Sequence, residues 1–483
     1  MADTSMSDKT PTKPYTAPNR EIYSWALGGV ATHALICMYG QAMNIFTVGF
    51  GLKAAVVGWA MMLPRVFDAL IDPMMGHFSD NLHTRWGRRK PFLVGGSVLA
   101  GLFVALLWWG NRAWSNTAQL VYLTVLGTLF YCSWGLYSMA WNSLGYELTD
   151  DYNQRSRVAA IGGLFASGVL ALNGWTYWFA LRPFFGGEVY GIRWIAAFVA
   201  VIAMGAAFYA AWNCRERFAK TNKEHMPIGP ALKTTLKNRP FVILLLYKFC
   251  QILGERVFNG LLFYLGMYYV CKGDKNLATS ITGLGGTIGS FLGFAVMPLI
   301  PLLSRKLGKR AGLTIPAGLA FALALCLPVI LTPAVPYLLL LPILLLMTLS
   351  IIANTMTNAI LPDVCDLDEL ENGERREGLY TAVVAFVSKL EISLTVLVVG
   401  YLVDLSGFDP KLATQPDAVM SKMLWMAIIP TGFFTFCGLV LALRFRMTEE
   451  SMNAIRLQLE ARRITAAGGE VVSTDELPPA TTI

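Results

Sequence analysis

The segment Leu63–Lys90, LPRVFDALIDPMMGHFSDNLHTRWGRRK, decides the fold class, because an apolar helix pattern is interrupted there by charge. Arg65, Asp68 and Asp72 follow one another at helical spacing and therefore share one face. A charged residue at the centre of a bilayer costs about 2.5–3.5 kcal/mol even on the lenient insertion scale. One arginine against two aspartates leaves a net charge of minus one on this face. A monovalent cation or a proton would neutralise it.

Two interpretations of this charged face are open. In the first, Asp68 and Asp72 form a cation site, and Pro73 helps by freeing the carbonyl of Ala69 from the helix ladder. In the second, Arg65 and Asp68 form an internal ion pair, and Asp72 bonds a neighbouring helix. We favour the cation site, since carboxylates inside a membrane are functional candidates by default.

The composition of the whole chain is typical of a membrane protein. Of 483 residues, 55% are hydrophobic and 14% are charged, well below the ~25% charged residues of soluble domains. The net charge of +8 sits mostly in short loops between apolar runs, a pattern of membrane orientation and not of nucleic-acid binding. The eight cysteines include no CxxC pair, so neither a disulfide framework nor a metal site is expected. The polar first 22 residues predict no cleavable signal peptide.

Long apolar runs predict an all-α integral membrane protein with twelve transmembrane helices. The predicted spans are 24–50, 54–78, 91–110, 117–144, 158–181, 193–213, 241–268, 277–303, 311–332, 334–360, 379–404 and 421–444. Of the 39 Lys and Arg residues, 27 fall in the tails and loops on one side of the predicted membrane, and eight fall on the other side. This asymmetry places both termini in the cytoplasm of a cell-membrane protein.

A repeat divides the chain into two six-helix halves. Arg85-Trp-Gly-Arg-Arg89 after the second span returns as Lys306-Leu-Gly-Lys-Arg310 after the eighth, at an offset of 221 residues, and Arg155 and Arg375 are 220 residues apart. Parallel six-helix repeats with a site between them are typical of one large transporter architecture. The predicted divisions are a tail at 1–22, a first half at 23–213, a linker at 214–240, a second half at 241–446 and a tail at 447–483.

Lys389 is a candidate coupling residue together with Arg65. Lys389 lies in span eleven and Asp68 in span two, each about 15 Å from the cytoplasmic end of its span. A lysine and a carboxylate at one depth could pair, and a cation on the aspartates would then release the lysine to substrate. Two alternatives are local: Lys389 pairs with Glu391, or its amine reaches towards the interface.

A second local pair is expected in span seven. Lys248 and Glu255 are seven residues apart and share a face of the helix. We expect them to satisfy each other's charge.

Span four is rich in aromatic and small polar side chains, which suit the apolar face and polar edges of a sugar ring. Ordinary helix packing explains any one of them equally well. His33 in span one is a substrate or proton ligand, or a packing residue. The candidate substrate-binding residues are His33, Tyr137, Ser138, Trp141, Asn142, Asn354 and Ser388.

The basic turn after span two suggests a gate. Asp80 and Arg88 lie in a glycine-bracketed loop near the neighbouring helices. Ion pairs between charged loops of the two halves would close the cytoplasmic face and break when it opens. The alternative is that these positive charges only fix the orientation of the chain.

Several motifs together resemble one family. They are Asp68-x-x-x-Asp72-Pro73, then Asp80 with Arg85-Trp-Gly-Arg-Arg89, then ELTDDYNQRSR at 147–157, and finally Glu377-Gly-Leu-Tyr380 followed by Lys389. From about Glu21 to Arg446, the chain resembles the glycoside–pentoside–hexuronide:cation symporters, the melibiose-permease-like branch of the major facilitator superfamily.

The resemblance implies alternating access between two six-helix halves and symport of a substrate with Na⁺ or H⁺. Asp68 and Asp72 match the cation-site aspartates of the family, and Lys389 matches the lysine between cation and sugar. The resemblance also implies charged positions near the cytoplasmic gate, namely Arg155, Arg375, Asp363 and Asp366.

The chain departs from the melibiose-type pattern at the sugar clamp. The carboxylate expected on helix one is replaced by His33 (or Thr32), and the carboxylate expected on helix four is replaced by Ser138. The hydroxyl expected near sodium on helix four is replaced by Gly135. An expected helix-five arginine is replaced near Gly162. These departures argue against a galactoside substrate and favour protons over sodium.

The function predicted from the sequence is secondary active symport of a sugar or glycoside with H⁺ or Na⁺, with no other cofactor. Alternatives are symport of a lysolipid or another organic solute, or a membrane-embedded sensor or enzyme. The chain has no H-x-x-x-D, H-E-x-x-H or G-x-S-x-G motif of an enzyme, and no loop is long enough for a sensor's output domain. We expect a monomer surrounded by membrane lipids, with no nucleic-acid partner.

Overall fold

The computed structural model describes residues 15–81, 84–216, 233–374, 376–447 and 449–466, and the side chains of 72–81, 152–153, 303, 449 and 465–466 lie outside this description. Within the described residues, the long helices are α1 Asn19–Gly40, α2 Ala54–Asn81, α3 Lys90–Leu106, α4 Asn116–Tyr146, α5 Tyr152–Asn173, α6 Glu188–Asn213, α7 Arg239–Tyr264, α8 Lys275–Val296, α9 Leu299–Ile330, α10 Leu340–Asn372, α11 Glu377–Ser406, α12 Asp417–Arg444 and α13 Glu449–Ala466. The predicted all-α class is confirmed.

Eleven helices in the described part of the chain are long and apolar enough to cross a membrane. α7 has a suitable length of 26 residues, but it carries Lys248, Glu255 and Arg256 in its middle. The predicted count of twelve spans therefore stays a prediction. Residues 1–14, 217–232 and 467–483 lie outside the described ranges, so the tails and the linker between the halves are not tested there.

The predicted boundary between spans eight and nine is wrong. Span eight was expected to run through Leu303, but α8 ends at Val296 and a new helix starts at Leu299. Pro298 lies between them and has no N–H to continue the ladder. The expected loop after Leu303 is largely helical, and α9 is interrupted only at Gly308, where φ is 79°.

The two copies of the basic motif adopt related turns. Gly87 and Gly308 occupy the same place in the repeat, and both have left-handed backbone angles, with φ of 108° and 79°. Glycine adopts such angles without a Cβ penalty. The residue after each glycine then binds an acid: Arg88 pairs with Glu147, and Lys309 pairs with Asp363. This likeness supports the internal repeat.

The loops alternate between two ends of the bundle. We call the end that holds residues 15–18, 84–89 and 147–151 the proximal end, and the end that holds residues 50–53, 181–187, 271–274 and 407–416 the distal end. α13 packs beside the part of α10 that reaches the proximal end.

α2 and α11 approach each other closely towards the distal end. A Cβ built on Gly400 would lie 2.5 Å from the carbonyl oxygen of Ala54, and one built on Gly58 would lie 3.1 Å from that of Val396. Asp404 on α11 also accepts hydrogen bonds from the backbone N–H groups of Ala54 and Ala55, at 2.9 and 3.0 Å. It thereby satisfies donors that the first turn of α2 leaves free. These contacts bring the two charged helices side by side.

Candidate cation-binding site

The charges expected at one depth on α2 and α11 do meet. The Lys389 ammonium donates to Oδ2 of Asp68 over 2.7 Å. The Asp68 side chain is 6% exposed and that of Lys389 is 32% exposed, so the pair lies inside the bundle and is open on the lysine side. The local pairing of Lys389 with Glu391 is wrong, because no described contact joins these two side chains.

Arg65 is anchored by other helices. Its Nε donates to the Tyr131 hydroxyl over 2.5 Å, and its Nη1 donates to the carbonyl of Ile392 over 3.2 Å. Its guanidinium also lies 5.7 Å from the centre of the Tyr131 ring and 6.0 Å from that of Tyr39. The alternative prediction, an ion pair between Arg65 and Asp68, is wrong, because no described contact joins these two side chains. Arg65 instead connects α2 to α4 and α11.

Part of the predicted site lies outside the described residues. The side chains of Asp72 and Asp80 and the whole of Arg375 belong to this part. Asp68 offers carboxylate oxygens, which suit both a proton and a hard cation such as Na⁺. No group of three or more His, Cys, Asp or Glu side chains that could hold a metal ion occurs among the residues described. The roles of Asp68 and Asp72 as cation ligands stay predictions.

Two aromatic candidates for substrate binding face helix α1. Tyr137 is fully buried, and its hydroxyl donates to the carbonyl of Gly28 over 2.7 Å. Trp141 stacks on Trp25 with ring centres 4.8 Å apart, and each indole N–H donates to the backbone carbonyl of the other residue. Both side chains are thus engaged in the α1–α4 contact, which was the packing alternative.

The other substrate candidates are more accessible. His33 Nδ1 lies 2.7 Å from the carbonyl of Gly29, and its ring meets Trp141 edge-on. Ser138 donates to the carbonyl of Gly135, and the exposed Asn142 donates to that of Ser138. Both bonds stay within α4.

The candidates from the second half lie on α10 and α11. Asn354 is exposed and Ser388 is half-buried. Asn354 lines a small cavity of about 10 Å³ between α7 and α10, together with Lys248, Gln251 and Ser350. The substrate-binding roles of the candidates on α1, α4, α10 and α11 stay predictions.

None of the ion pairs that the structure describes for the candidate gate residues joins the two predicted halves, although two of them join the second half to the C-terminal tail. Arg88 lies 3.3 Å from Glu147, and Arg155 lies 3.8 Å from Asp150. Asp363 pairs with Lys309 and, at 2.9 Å, with Arg456. Asp366 lies 3.7 Å from the same Arg456. The predicted pairing between the halves is therefore not among the described contacts of this conformation.

The predicted pair of Lys248 with Glu255 is wrong. No described ion pair joins them, and Glu255 instead accepts hydrogen bonds from Ser350 and, at 3.3 Å, from Asn259. Helical spacing put the two charges on one face, but Ser350 on α10 lies closer to the carboxylate than the lysine does. Sequence spacing reports neighbours within one helix and not those on the next helix.

Sequence reasoning missed two acids that organise helix starts. Glu216 accepts hydrogen bonds from the backbone N–H groups of Arg88, Arg89 and Lys90 at 2.8, 2.8 and 3.1 Å, and so caps α3. Asp404 does the same for α2. Each acid caps a helix that is distant in sequence, so no local capping motif marks it.

The bundle of long apolar helices and the buried ion pair between α2 and α11 define a multi-pass membrane transporter. Residues 24–449 match the family model described as MFS/sugar transport protein. The chain belongs to this family, and the resemblance noted in the sequence is confirmed.

Known relatives and a solved structure agree with this assignment. The chain is 24% identical to the glucuronide carrier protein homolog of Escherichia coli (strain K12), covering 92% of this chain and 96% of that protein. It is 25% identical to the isoprimeverose transporter of Lactiplantibacillus pentosus, covering 86% and 87%. The structure of a bacterial homolog of the human lysosomal transporter Spinster, in an inward-facing conformation, superposes with a TM-score of 0.64 at 14% identity, covering 90% and 100%.

Proposed function

We propose that this protein is a secondary transporter that couples the movement of H⁺ or Na⁺ to symport of a sugar or glycoside by alternating access. The carrying observation is the ion pair of Asp68 and Lys389, which joins α2 to α11 inside the bundle. Membership of the family supports the substrate class, as does the similarity to a glucuronide carrier protein homolog and to an isoprimeverose transporter. The proposal includes a monomer with both termini in the cytoplasm.

The ion pair suggests how coupling works. A buried carboxylate is tolerated when it is paired, and removing one partner leaves an uncompensated charge. In the ion-free state Lys389 compensates Asp68. When a proton or Na⁺ binds Asp68, the lysine loses its partner and its ammonium, which is already one-third exposed, turns to hydroxyl groups of the substrate. Substrate and cation thereby favour each other's binding.

Arg65 holds the site in place while this exchange occurs. Its bonds to Tyr131 and to the carbonyl of Ile392 do not use Asp68. Arg65 therefore adds positive charge to this part of α2 without competing with Lys389 for a direct bond to Asp68.

Uptake into proteoliposomes tests this proposal. Purified protein is given a panel of radiolabelled glycosides, pentosides, hexuronides and one lysolipid, under an imposed proton gradient or an imposed sodium gradient. We expect accumulation of at least one sugar with one of the two gradients, and none of the lysolipid. Failure of every sugar to accumulate would contradict the proposal, and lysolipid accumulation would favour the alternative substrate class.

The matched variants separate coupling from folding. Asp68→Asn and Asp72→Asn should reduce gradient-driven accumulation about tenfold or more while sparing downhill exchange, because the neutral amide cannot take up the cation's charge. Asp409→Asn is the control, since Asp409 is an exposed acid in a distal loop. Unimpaired accumulation in Asp68→Asn would remove the cation role from this residue.

A further inference from the structure

Helix α11 carries charge on two opposite faces. Lys389 and Glu391 are two residues apart, which places them about 200° apart around an α-helix. Lys389 faces α2, where it meets Asp68. Glu391 is 1% exposed and lies among charged side chains of α7. The same helix therefore connects the candidate cation site to a second acidic group.

Glu391 is buried without a hydrogen bond to its inner oxygen. Its Oε1 is shielded from solvent and has no partner among the described residues. An ionised carboxylate in such a place loses its hydration and gains no hydrogen bond in return. A carboxylic acid that keeps its proton avoids that loss.

The charged groups that act on Glu391 come from α7. Lys248 and Arg256 contribute positive charge and Glu255 contributes negative charge. The thiols of Cys250 and Cys437 lie in the same region. No described ion pair joins Lys248 or Arg256 to any acid. Two cations are thus near the carboxyl group without being bonded to it.

A small cavity of about 10 Å³ lies beside one of these cations, Lys248. Lys248, Gln251, Ser350 and Asn354 are among its lining residues. The Nε2 of Gln251 is also buried without a partner in the part of the chain that the structure describes. A cavity of this volume is at the lower limit for holding a single water molecule. The unpartnered Gln251 amide at its wall would bind that water, which would accept the proton.

We propose that Glu391 is a second proton-binding site, which holds a proton in this conformation and releases it to water in the α7–α10 cavity when Lys248 or Arg256 moves to its carboxylate. The carboxyl O–H bond breaks, the proton passes to a water molecule, and the carboxylate left behind gains an ion pair. This deepens the proposed symport and rests on it, because a shift of α11 moves Lys389 and Glu391 together.

Infrared difference spectroscopy of the purified full-length protein tests the site without transport. We expect a carbonyl stretching band of a protonated carboxylic acid at neutral pH, which is lost in Glu391→Gln and retained in the control Glu460→Gln, which changes an exposed acid on α13. Glu391→Asp keeps an acid at the site and should shift the band, which guards against misfolding of the amide variant. Unchanged bands in both Glu391 variants would overturn the proposal.

Transport then separates this proposal from the proposed function. In Glu391→Gln, proton-driven accumulation should fall about tenfold while exchange of substrate without a gradient persists. If the wild type accumulates sugar but its infrared band does not depend on Glu391, the second site is wrong and the symport stands. If the band depends on Glu391 but no sugar accumulates under either gradient, the proton site stands and the symport is wrong.

Discussion

At the distal end, side chains join the two predicted halves to each other, whereas none of the described ion pairs at the proximal end joins the halves. Asp404 caps α2 from α11, Lys275 lies 3.0 Å from Glu188, and Arg182 donates to Asn276. Each of these contacts connects the first predicted half with α8 or α11.

The proximal end has charges of the same kind in a different arrangement. Arg89 lies 2.8 Å from Glu147, and Asp363 is held by Lys309 and Arg456. These pairs fix the turn after α2, the turn at Gly308 within α9 and the helix α13 without bridging the halves. Of the two ends, the distal one alone shows side-chain contacts between the halves among the described residues, and we infer that these contacts hold it closed. Contacts at the two ends should therefore have different consequences when they are broken: distal contacts affect transport, and proximal contacts affect stability.

The largest expected effect is at the closest approach of α2 and α11. Gly400→Val would bring a side chain within 2.5 Å of the carbonyl oxygen of Ala54. Overpacking of this kind costs about 1–3 kcal/mol and should separate the helices at the distal end. We expect the initial rate of sugar uptake to fall about tenfold or more.

Gly378→Val is the matched control, because Gly378 lies on the same helix with open space around it. Melting temperatures of both variants show whether the fold persists. Equal uptake by the two variants would mean that the tight distal contact has no role in transport. It would contradict the claim that distal contacts affect transport while proximal contacts affect stability.

A smaller effect, on the opening of the distal end, is expected from Asp404→Ala. The change removes the cap that α11 provides for α2, which costs about 0.5–2 kcal/mol. Opening of the distal end should then expose Cys271, a buried thiol in a distal loop. Burial, and to a lesser extent Asp274, raises the pKa of Cys271 to about 11.

The rate of thiol labelling at Cys271 measures this opening. The thiolate is the reactive form, so the raised pKa slows labelling of the buried thiol at pH 8. Exposure of Cys271 lowers the pKa towards its usual value and therefore speeds labelling. We expect Asp404→Ala to label at Cys271 several times faster than the wild type, as measured by mass spectrometry of the Cys271 peptide. Asp409→Ala serves as the control, and an unchanged rate in Asp404→Ala would contradict the closing role of Asp404.

The sequence predicted the features that follow from spacing along the chain, including one contact between two distant spans. Apolar runs gave the helices, and equal depth in two spans anticipated that Asp68 and Lys389 would meet. The repeat of Arg85–Arg89 at Lys306–Arg310 anticipated two similar turns. Each of these predictions uses spacing along the chain, which local geometry converts directly into position.

Features that depend on which helix packs beside which could not be predicted. The spacing of Arg65 and Asp68 allowed an ion pair, but Tyr131 on α4 takes the guanidinium. Tyr137 and Trp141 carry the chemistry of a sugar site, yet α1 covers them. Helical periodicity shows that residues share a face and does not show what that face meets.

A modest effect on stability alone is expected at the proximal end. Arg456→Ala removes one of the two described cationic partners of the buried Asp363, while Lys309 remains. Because the arginine side chain is 55% exposed, the cost should be about 0.5–1 kcal/mol. We expect a melting temperature lowered by about 1–3 °C and uptake within about twofold of the wild type.

Glu460→Ala is the control on the same helix, since Glu460 is exposed. A fall of uptake by about tenfold in Arg456→Ala, with Glu460→Ala normal, would show that the contact between α13 and α10 controls transport. The contrast between a transport-active distal end and a structural proximal end would then be wrong.

The smallest effect on uptake is expected from Lys275→Gln, although Lys275 also joins the two halves at the distal end. The Lys275 side chain is 34% exposed, and Glu188 keeps a hydrogen bond from Tyr177 at 2.8 Å when the lysine is gone. A partly exposed ion pair is worth about 0–1 kcal/mol and weakens with salt. Uptake should change less than about twofold at low ionic strength, and a double-mutant cycle with Glu188→Gln should give a coupling energy that shrinks as salt is added. A coupling that is large and insensitive to salt would mean that this pair, and not the helix contact at Gly400, holds the distal end closed.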